Sequence, residues 1–176
     1  MKTPDLALGS WEAAALLGVH YTRPARMAGN GLLLSRPLAA LRSDPSHRAA
    51  IYSFHDCERD YAEYQDRVRQ SGGKHYRRPR AWLHLRPSAL KRLAGITAPI
   101  EYSDACSVAE AMRIMKLVST SQLSHLLKIG DVVGRRPWSE RASGERNWII
   151  SRRSCEERNK RMIAKEKAGT KSGRRK

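Results

Sequence analysis

Ser107-Val108-Ala109-Glu110-Ala111-Met112-Arg113-Ile114-Met115 and, after Lys116-Leu117-Val118, Ser119-Thr120-Ser121-Gln122-Leu123-Ser124-His125-Leu126-Leu127-Lys128 carry two short helical periods in succession. In the first, Val108, Ala111, Met112 and Met115 recur near helical spacing, with Ile114 beside them. Ser107 is placed to accept a backbone N–H, and Glu110 falls three residues later, the pattern of a capping box. Ser119 or Thr120 can cap the second helix, which Gly130 should end. Its inward positions are Leu123, Leu126 and Leu127. Its outward positions are Ser121, Gln122, Ser124, His125 and Lys128, short donors and acceptors followed by a cation. Two short helices with a tight turn, the second polar on its open face, make either a helix-turn-helix or an ordinary helical hairpin.

The same pattern occurs earlier in the chain. Ser10-Trp11-Glu12-Ala13-Ala14-Ala15-Leu16-Leu17-Gly18-Val19 leads into Pro24-Ala25-Arg26-Met27 and closes at Gly31-Leu32. Ile51-Tyr52-Ser53-Phe54-His55-Asp56-Cys57-Glu58 then matches Ile149-Ile150-Ser151-Arg152-Arg153-Ser154-Cys155-Glu156, and the two cysteines lie 98 positions apart. A repeat this long suggests two related small domains in tandem rather than solenoid units. Pro24 is compatible only with the first turn of a helix, and Gly29-Asn30-Gly31 ends that helix early. The exposed donors here would be Thr22, Arg23 and Arg26, with Tyr21 nearby. This copy is either a second DNA reader or a degenerate docking module.

After the second helix pair, Arg135 and Arg136 precede Pro137-Trp138, and Arg141 and Arg146 flank Gly144, the composition of a hairpin turn before a strand at Asn147-Trp148-Ile149-Ile150. Ser151 or Ser154 would cap a closing helix. Two helices, a basic hairpin and a closing helix describe a winged helix-turn-helix, whose arginines lie against phosphates or reach into the minor groove.

On these residues Ser107 to Arg158 resembles the excisionase/MerR-type winged helix family. The matching positions are Glu110-Ala111, Ile114, Met115, Val118-Ser119, Ser121, Leu123, Lys128, Gly130-Asp131-Val132, Arg135-Arg136, Trp148-Ile149 and Ser154. The family's turn glycine is replaced by Lys116-Leu117, one residue longer, whereas Gly18 keeps it in the first copy. The resemblance covers about a third of the chain and implies duplex DNA as partner, with no cofactor.

Charge points the same way. The chain holds 34 Lys and Arg against 17 Asp and Glu, a formal charge of +17. A field that positive concentrates polyanions, so nucleic acid is the leading partner ahead of an anionic membrane surface. Between Arg67 and Arg92 there are nine cations and no acid. There Arg77, Arg78 and Arg80 read as a phosphate-contacting arm, or else as a solvated loop, before a strand at Trp82-Leu83-His84-Leu85 and a short helix. Lys160 to Lys176 reads as a basic tail, disordered or frayed beyond an initial helical extension.

Other classes find little support. Three widely spaced cysteines without a Cys-x-x-Cys argue against a disulfide scaffold and a common zinc site; Cys57 and Cys155 suit buried small hydrophobes. No paired carboxylates converge on a His, no glycine loop cradles phosphate, and nothing marks Tyr52, Tyr61 or Tyr64 as a recombinase nucleophile, so the chain is not expected to be an enzyme. There is no signal-peptide pattern and no spanning apolar run, which makes a cytoplasmic, nucleoid-associated protein the expectation.

The reading is therefore a mainly α protein with short β-hairpins. Residues 8–66 form a first, degenerate winged helix-turn-helix module, 67–98 a basic connection, 99–160 a second module, and 161–176 a basic tail. Its expected DNA-binding residues are Thr22, Arg23, Arg26, Arg77, Arg78, Arg80, Ser119, Ser121, Gln122, Ser124, His125, Lys128, Arg135, Arg136, Arg141 and Arg146, with no metal and no cofactor. Such a protein would be a transcription regulator or an excisionase-like directionality factor of a phage or mobile element; an RNA-binding or ribosome-associated role is the alternative. An internal duplicate can read two half-sites without dimerising, though a homodimer or a recombinase or polymerase partner is also compatible.

Overall fold

A computed structural model describes residues 4–37, 50–72, 78–139 and 148–172, and these are mainly helical with two small antiparallel sheets. The order of elements runs twice. The first half has β1 (Ala7–Leu8), α1 (Ser10–Leu17), α2 (Arg23–Gly29), β2 (Ser35–Pro37), β3 (Ala50–Ser53) and α3 (Phe54–Gln70). The second has β4 (Ala105–Cys106), α6 (Val108–Met115), α7 (Thr120–Lys128), β5 (Gly134–Arg135), β6 (Ile149–Ser151) and α8 (Arg152–Ser172). Between them lie α4 (Arg80–Leu83) and α5 (Arg86–Ala94).

Register shows how close the repetition is. The sheets are ordered β1-β3-β2 and β4-β6-β5. Ala7 pairs with Ser53 as Ala105 pairs with Ser151, and Arg36 pairs with Ile51 as Arg135 pairs with Ile149. At the start of α1 the Glu12 carboxylate accepts the Gly9 N–H at 2.9 Å, and at the start of α6 Glu110 accepts the Ser107 N–H at 3.0 Å. Ser107 reciprocates by accepting the Glu110 N–H, which completes a capping box. Cys57 and Cys155 are both fully buried, each in the first turns of the helix that closes its half.

The two helices that open the halves differ in what surrounds them. Along α6, Ala111 and Met115 are buried and Arg113 is exposed, the one-sided pattern of a surface helix. In α1 every residue from Glu12 to Leu17 is buried, because α2, α3, α4 and α5 all pack on it. An Ala- and Leu-rich helix with no polar stripe has to be covered on all sides. Leu85, Ala89 and Leu93, from α5 and the residue before it, supply part of that cover.

Two expectations are corrected here. Trp82-Leu83-His84-Leu85 does not form a strand: Pro79 and Pro87 sit at helix starts, where their fixed φ is favourable, and α4 and α5 result. Alternating apolar residues imitated a strand, but the apolar side chains meet α1 rather than a sheet. The tail also departs from expectation, since α8 continues helically through Ser172. Its Arg, Lys, Glu and Ala residues are good helix formers, and Arg158 and Arg161 both pair with Asp131, which ties the helix to the loop after α7. Among the described residues no helix is long and apolar enough to cross a membrane.

The halves join through backbone and side chains together. The Ala7 N–H donates to Ile100 O at 2.8 Å and the Tyr102 N–H to Asp5 O at 2.6 Å, either side of an antiparallel bridge between Leu6 and Glu101. Ala7, Ile51, Ile100, Ala105 and Ile149 form a small core over that ribbon. Next to it Arg135 reaches from β5 to Glu12: its Nη1 donates to Oε1 at 2.7 Å and its Nη2 to Oε2 at 2.9 Å. Both side chains are largely buried, 12% and 4% exposed. Removing one partner of a buried pair strands the other charge, so Arg135→Ala should lower unfolding free energy by about 3–5 kcal/mol. Urea titration of wild type, Arg135→Ala and the double variant Arg135→Ala/Glu12→Gln checks this. The double variant should be the more stable of the two.

Candidate nucleic-acid interface

In each half the second helix is held over its core by two inward side chains, Pro24 and Met27 in α2 and Leu123 and Leu126 in α7. These lie 99 positions apart, as β2 and β5 do, one more than β1 and β4, β3 and β6 or the closing helices, so the second copy gains an extra residue at the turn between helices. The turn itself is nonetheless conserved in conformation. Gly18 (φ 66°, ψ 36°) and Lys116 (φ 54°, ψ 37°) both take the left-handed conformation. The next N–H then bonds back in each case, Val19 to Ala14 O at 3.0 Å and Leu117 to Met112 O at 2.9 Å. A side chain at position 18 would be strained by this φ and would in addition displace the tip of the Leu83 side chain. The helices end alike as well, at Gly31 (φ 72°) and Gly130 (φ 74°).

The outward faces of these helices carry the expected side chains. Thr22, Arg23 and Arg26 are exposed beside α2; Ser121, Gln122, Ser124, His125 and Lys128 are exposed on α7. Three of these polar groups have local bonds. Ser119 caps α7 by accepting the Gln122 N–H at 3.3 Å, which makes it a structural cap more than an open donor. Gln122 accepts the Val118 N–H through Oε1 at 3.3 Å, so its amide NH2 is the part left to face outward. Thr22 Oγ1 lies 2.9 Å from His20 Nδ1. Among the described residues, the side chains of Arg23, Arg26 and Lys128 enter no ion pair or hydrogen bond.

Two of the arginines assigned to phosphate contacts are engaged internally instead. Arg78 is buried, donating to Leu17 O and, at 2.6 Å, to Asp60 Oδ2, with its guanidinium 4.2 Å from the Tyr64 ring centroid. Arg86 repeats the device: it donates to Leu16 O and to Glu58 at 2.7 Å, and stacks 3.7 Å from the Tyr61 centroid. The two guanidiniums cap the carbonyls at the end of α1, where positive charge is favoured. The expected arm is thus a strap that ties α3 to α1, with Arg80 left exposed on it. Arg135 is the second correction, held by Glu12 and by Ala7 O. Sequence reasoning missed both because the partner acids lie far along the chain, Asp60 and Glu12 being 18 and 123 positions away.

The base of the second hairpin is pinned down with Arg135. The Trp138 N–H donates to Glu12 Oε1 at 3.0 Å, and its ring packs on the first half's core beneath the Arg92 guanidinium at 4.7 Å. Arg136 stays exposed, lying 5.0 Å over the Trp148 ring. Arg77, Arg141 and Arg146 lie outside the described residues.

The fate of the acids sharpens the surface charge. Asp56, Glu58, Asp60, Glu63 and Asp66 crowd onto α3, and each pairs with an arginine there or on the strap. Glu12, Glu110 and Asp131 pair with Arg135, Arg152, and Arg158 with Arg161. With these acids matched, the charge left unpaired among the described residues is cationic on balance, and both second helices carry part of it. Among the described residues no group of three or more His, Cys, Asp or Glu side chains is arranged to hold a metal ion. Burial first, then the nearby Asp60, Asp56 and Glu58, push the Cys57 thiol up, so it stays protonated.

No protein-family model, no curated protein and no solved structure matches this chain.

Two outcomes are expected. Lys116 carries a Cβ in a conformation that disfavours one, so Lys116→Gly should stabilise the protein by about 0.5–1 kcal/mol, readable as a raised denaturation midpoint with unchanged slope. Burial pushes the Glu110 carboxyl up, but the Ser107 hydrogen bonds and Arg152 outweigh it and hold the group below its ordinary value of 4.5. Its contribution should be complete above about pH 4.5 and fade as pH falls through the depressed folded value. Glu110→Gln should flatten that acid limb in a pH series of melting temperatures, while leaving the region above pH 7 parallel to wild type.

Proposed function

We propose that this chain is a sequence-specific double-stranded DNA-binding protein made of two tandem winged helix-turn-helix units. In this reading α2 and α7 are the helices that enter the major groove, and the antiparallel strand pairs after them are the wings. Its action would be that of a transcription regulator or an excisionase-like directionality factor, occupying and distorting a site rather than catalysing a reaction.

One observation carries the reading. In both halves a helix ends in a left-handed turn and a second helix follows, held inward by two apolar side chains and open outward through polar and cationic ones. Such a helix has the size and the donors to read base edges. Cations at Arg80, Arg136 and Lys128 are exposed and suited to phosphates, which position a protein without specifying sequence. RNA recognition would favour aromatic rings presented for stacking on bases. Here Trp11, Tyr21 and Trp82 pack on one another, with Trp11 and Trp82 centroids 4.9 Å apart, against the first half's core.

The test is a competition gel shift, in which a duplex recovered by selection should resist excess structured RNA. Replacing His125 by Ala should cost roughly 1–3 kcal/mol on the selected duplex and little on a scrambled one. Replacing Arg136 by Ala should weaken both about equally and lower the salt slope by about one. Preference for RNA over every duplex, or equal losses on both duplexes for the His125 variant, would overturn the assignment.

A further inference from the structure

We infer that one copy of this chain reads a single DNA site as two inverted and chemically unequal half-sites, one through Arg23 and Arg26, the other through Gln122 and His125. The inference rests on the DNA-binding reading above and adds the architecture of the target.

Orientation comes from the junction. When two copies of a unit meet head to tail, the first offers one patch and the second a different one. When they meet around a two-fold axis, both offer the same patch. In this chain Ala7 and Ile51 of the first half lie in one buried cluster with Ala105 and Ile149 of the second. Each pair is separated by 98 positions, the same interval that separates the buried cysteines and the β1–β3 and β4–β6 pairings. At this core the halves therefore meet through equivalent positions, whereas the contacts of Arg135 and Trp138 with Glu12 have no counterpart at Glu110, which pairs with Arg152 of its own half. The backbone ribbon alongside, Asp5–Ala7 against 100–102, is antiparallel, which reverses chain direction between the halves as a two-fold does. The ribbon and the small core beside it are thus arranged as in an isologous dimer, contained here within one chain. A two-fold protein matches an inverted repeat in the duplex, because the duplex itself reverses strand direction across such an axis.

The inequality comes from the reading positions. Counting from the buried anchors, Pro24 with Leu123 and Met27 with Leu126, position 23 corresponds to position 122 and position 26 to position 125. Arginine stands at both places in the first half; glutamine and histidine stand there in the second. All four are exposed. Arginine pairs best with the O6 and N7 acceptors of guanine, whereas Gln122, its Oε1 taken by the Val118 N–H, presents an NH2 that donates singly to an acceptor such as a purine N7. The two half-sites should hence be arranged as an inverted repeat yet differ at matching places, guanine being specified where Arg23 and Arg26 read and not where Gln122 and His125 do. A symmetric homodimer cannot make that distinction.

The experiment is selection of bound duplexes from a random pool with the full chain, followed by native mass spectrometry of the complex. The expected site holds two unequal halves in inverted order and binds one chain. Reversing one half in place, which makes a direct repeat of the same sequences, should weaken binding by at least about tenfold. The variant Arg23→Gln/Arg26→His alters only exposed side chains, and circular dichroism verifies its fold. It should select a more symmetric site, with both halves drawn toward the one that Gln122→Glu, which keeps the bond from the Val118 N–H, disturbs in the wild type. Direct repeats, a single half-site, or two chains per duplex would overturn the inverted architecture while leaving DNA binding in place. A pool that enriches no duplex at all would instead remove the DNA reading, and the inference with it.

Discussion

The carboxylate of Glu12 is where the molecule is closed. It lies in the first turn of α1, the most enclosed helix of the fold, and accepts N–H groups from Gly9, Arg135 and Trp138. A carboxylate this buried is tolerable only if its oxygens are fully engaged by donors. Two of those donors belong to the other half of the chain. A capping contact that its counterpart Glu110 makes locally, with Arg152 as ion partner, has been turned at Glu12 into the grip between halves. The ribbon at Leu6 and Glu101 fixes direction, and the Arg135 guanidinium fixes position.

The same economy governs charge. Several of the chain's acids stand where arginines must be held still: Glu58 and Asp60 on α3 for the strap, Glu12 for the junction, Asp131 for the root of α8. Arginine suits each of these sites because its planar fork can serve a carboxylate and a carbonyl together, as Arg78 and Arg86 both do. What looks in composition like a uniform excess of positive charge is two populations. One holds the fold together, and the other faces outward.

Much of the architecture could be read from local signals. Capping at Ser107 and Glu110, the inward leucines of α7, and the cysteine interval of 98 positions all report short-range geometry, and the helices and buried cysteines lie where those signals place them. Lys116 was less legible, because a left-handed lysine leaves no mark in sequence comparable to Gly18. In the connection, sequence and structure part for a definite reason: Trp82-Leu83-His84-Leu85 alternates like a strand, and only packing against α1 makes it helical. In the candidate interface, exposure on α2 and α7 followed from periodicity. The withdrawal of Arg78 and Arg135 could not, since it depends on acids brought close by tertiary structure. α8 exceeded its expected length because tail residues of high helix propensity are anchored at Arg158 and Arg161.

That dependence on distant partners has a consequence for the nascent chain. Glu12 leaves the ribosome 123 residues before Arg135, roughly 6–25 seconds earlier at ordinary rates of synthesis. During that interval the first half can assemble its own core, yet it carries an unmatched carboxylate, a bare strand edge at Asp5–Ala7 and an uncovered Ile51. An open edge beside apolar side chains invites pairing with whatever strand arrives first, including the same segment of a neighbouring nascent chain. The native partner, at 100–102, follows α5 directly in the sequence, so the edge is covered before the second half is complete. Order along the chain thus protects the junction while it is being made.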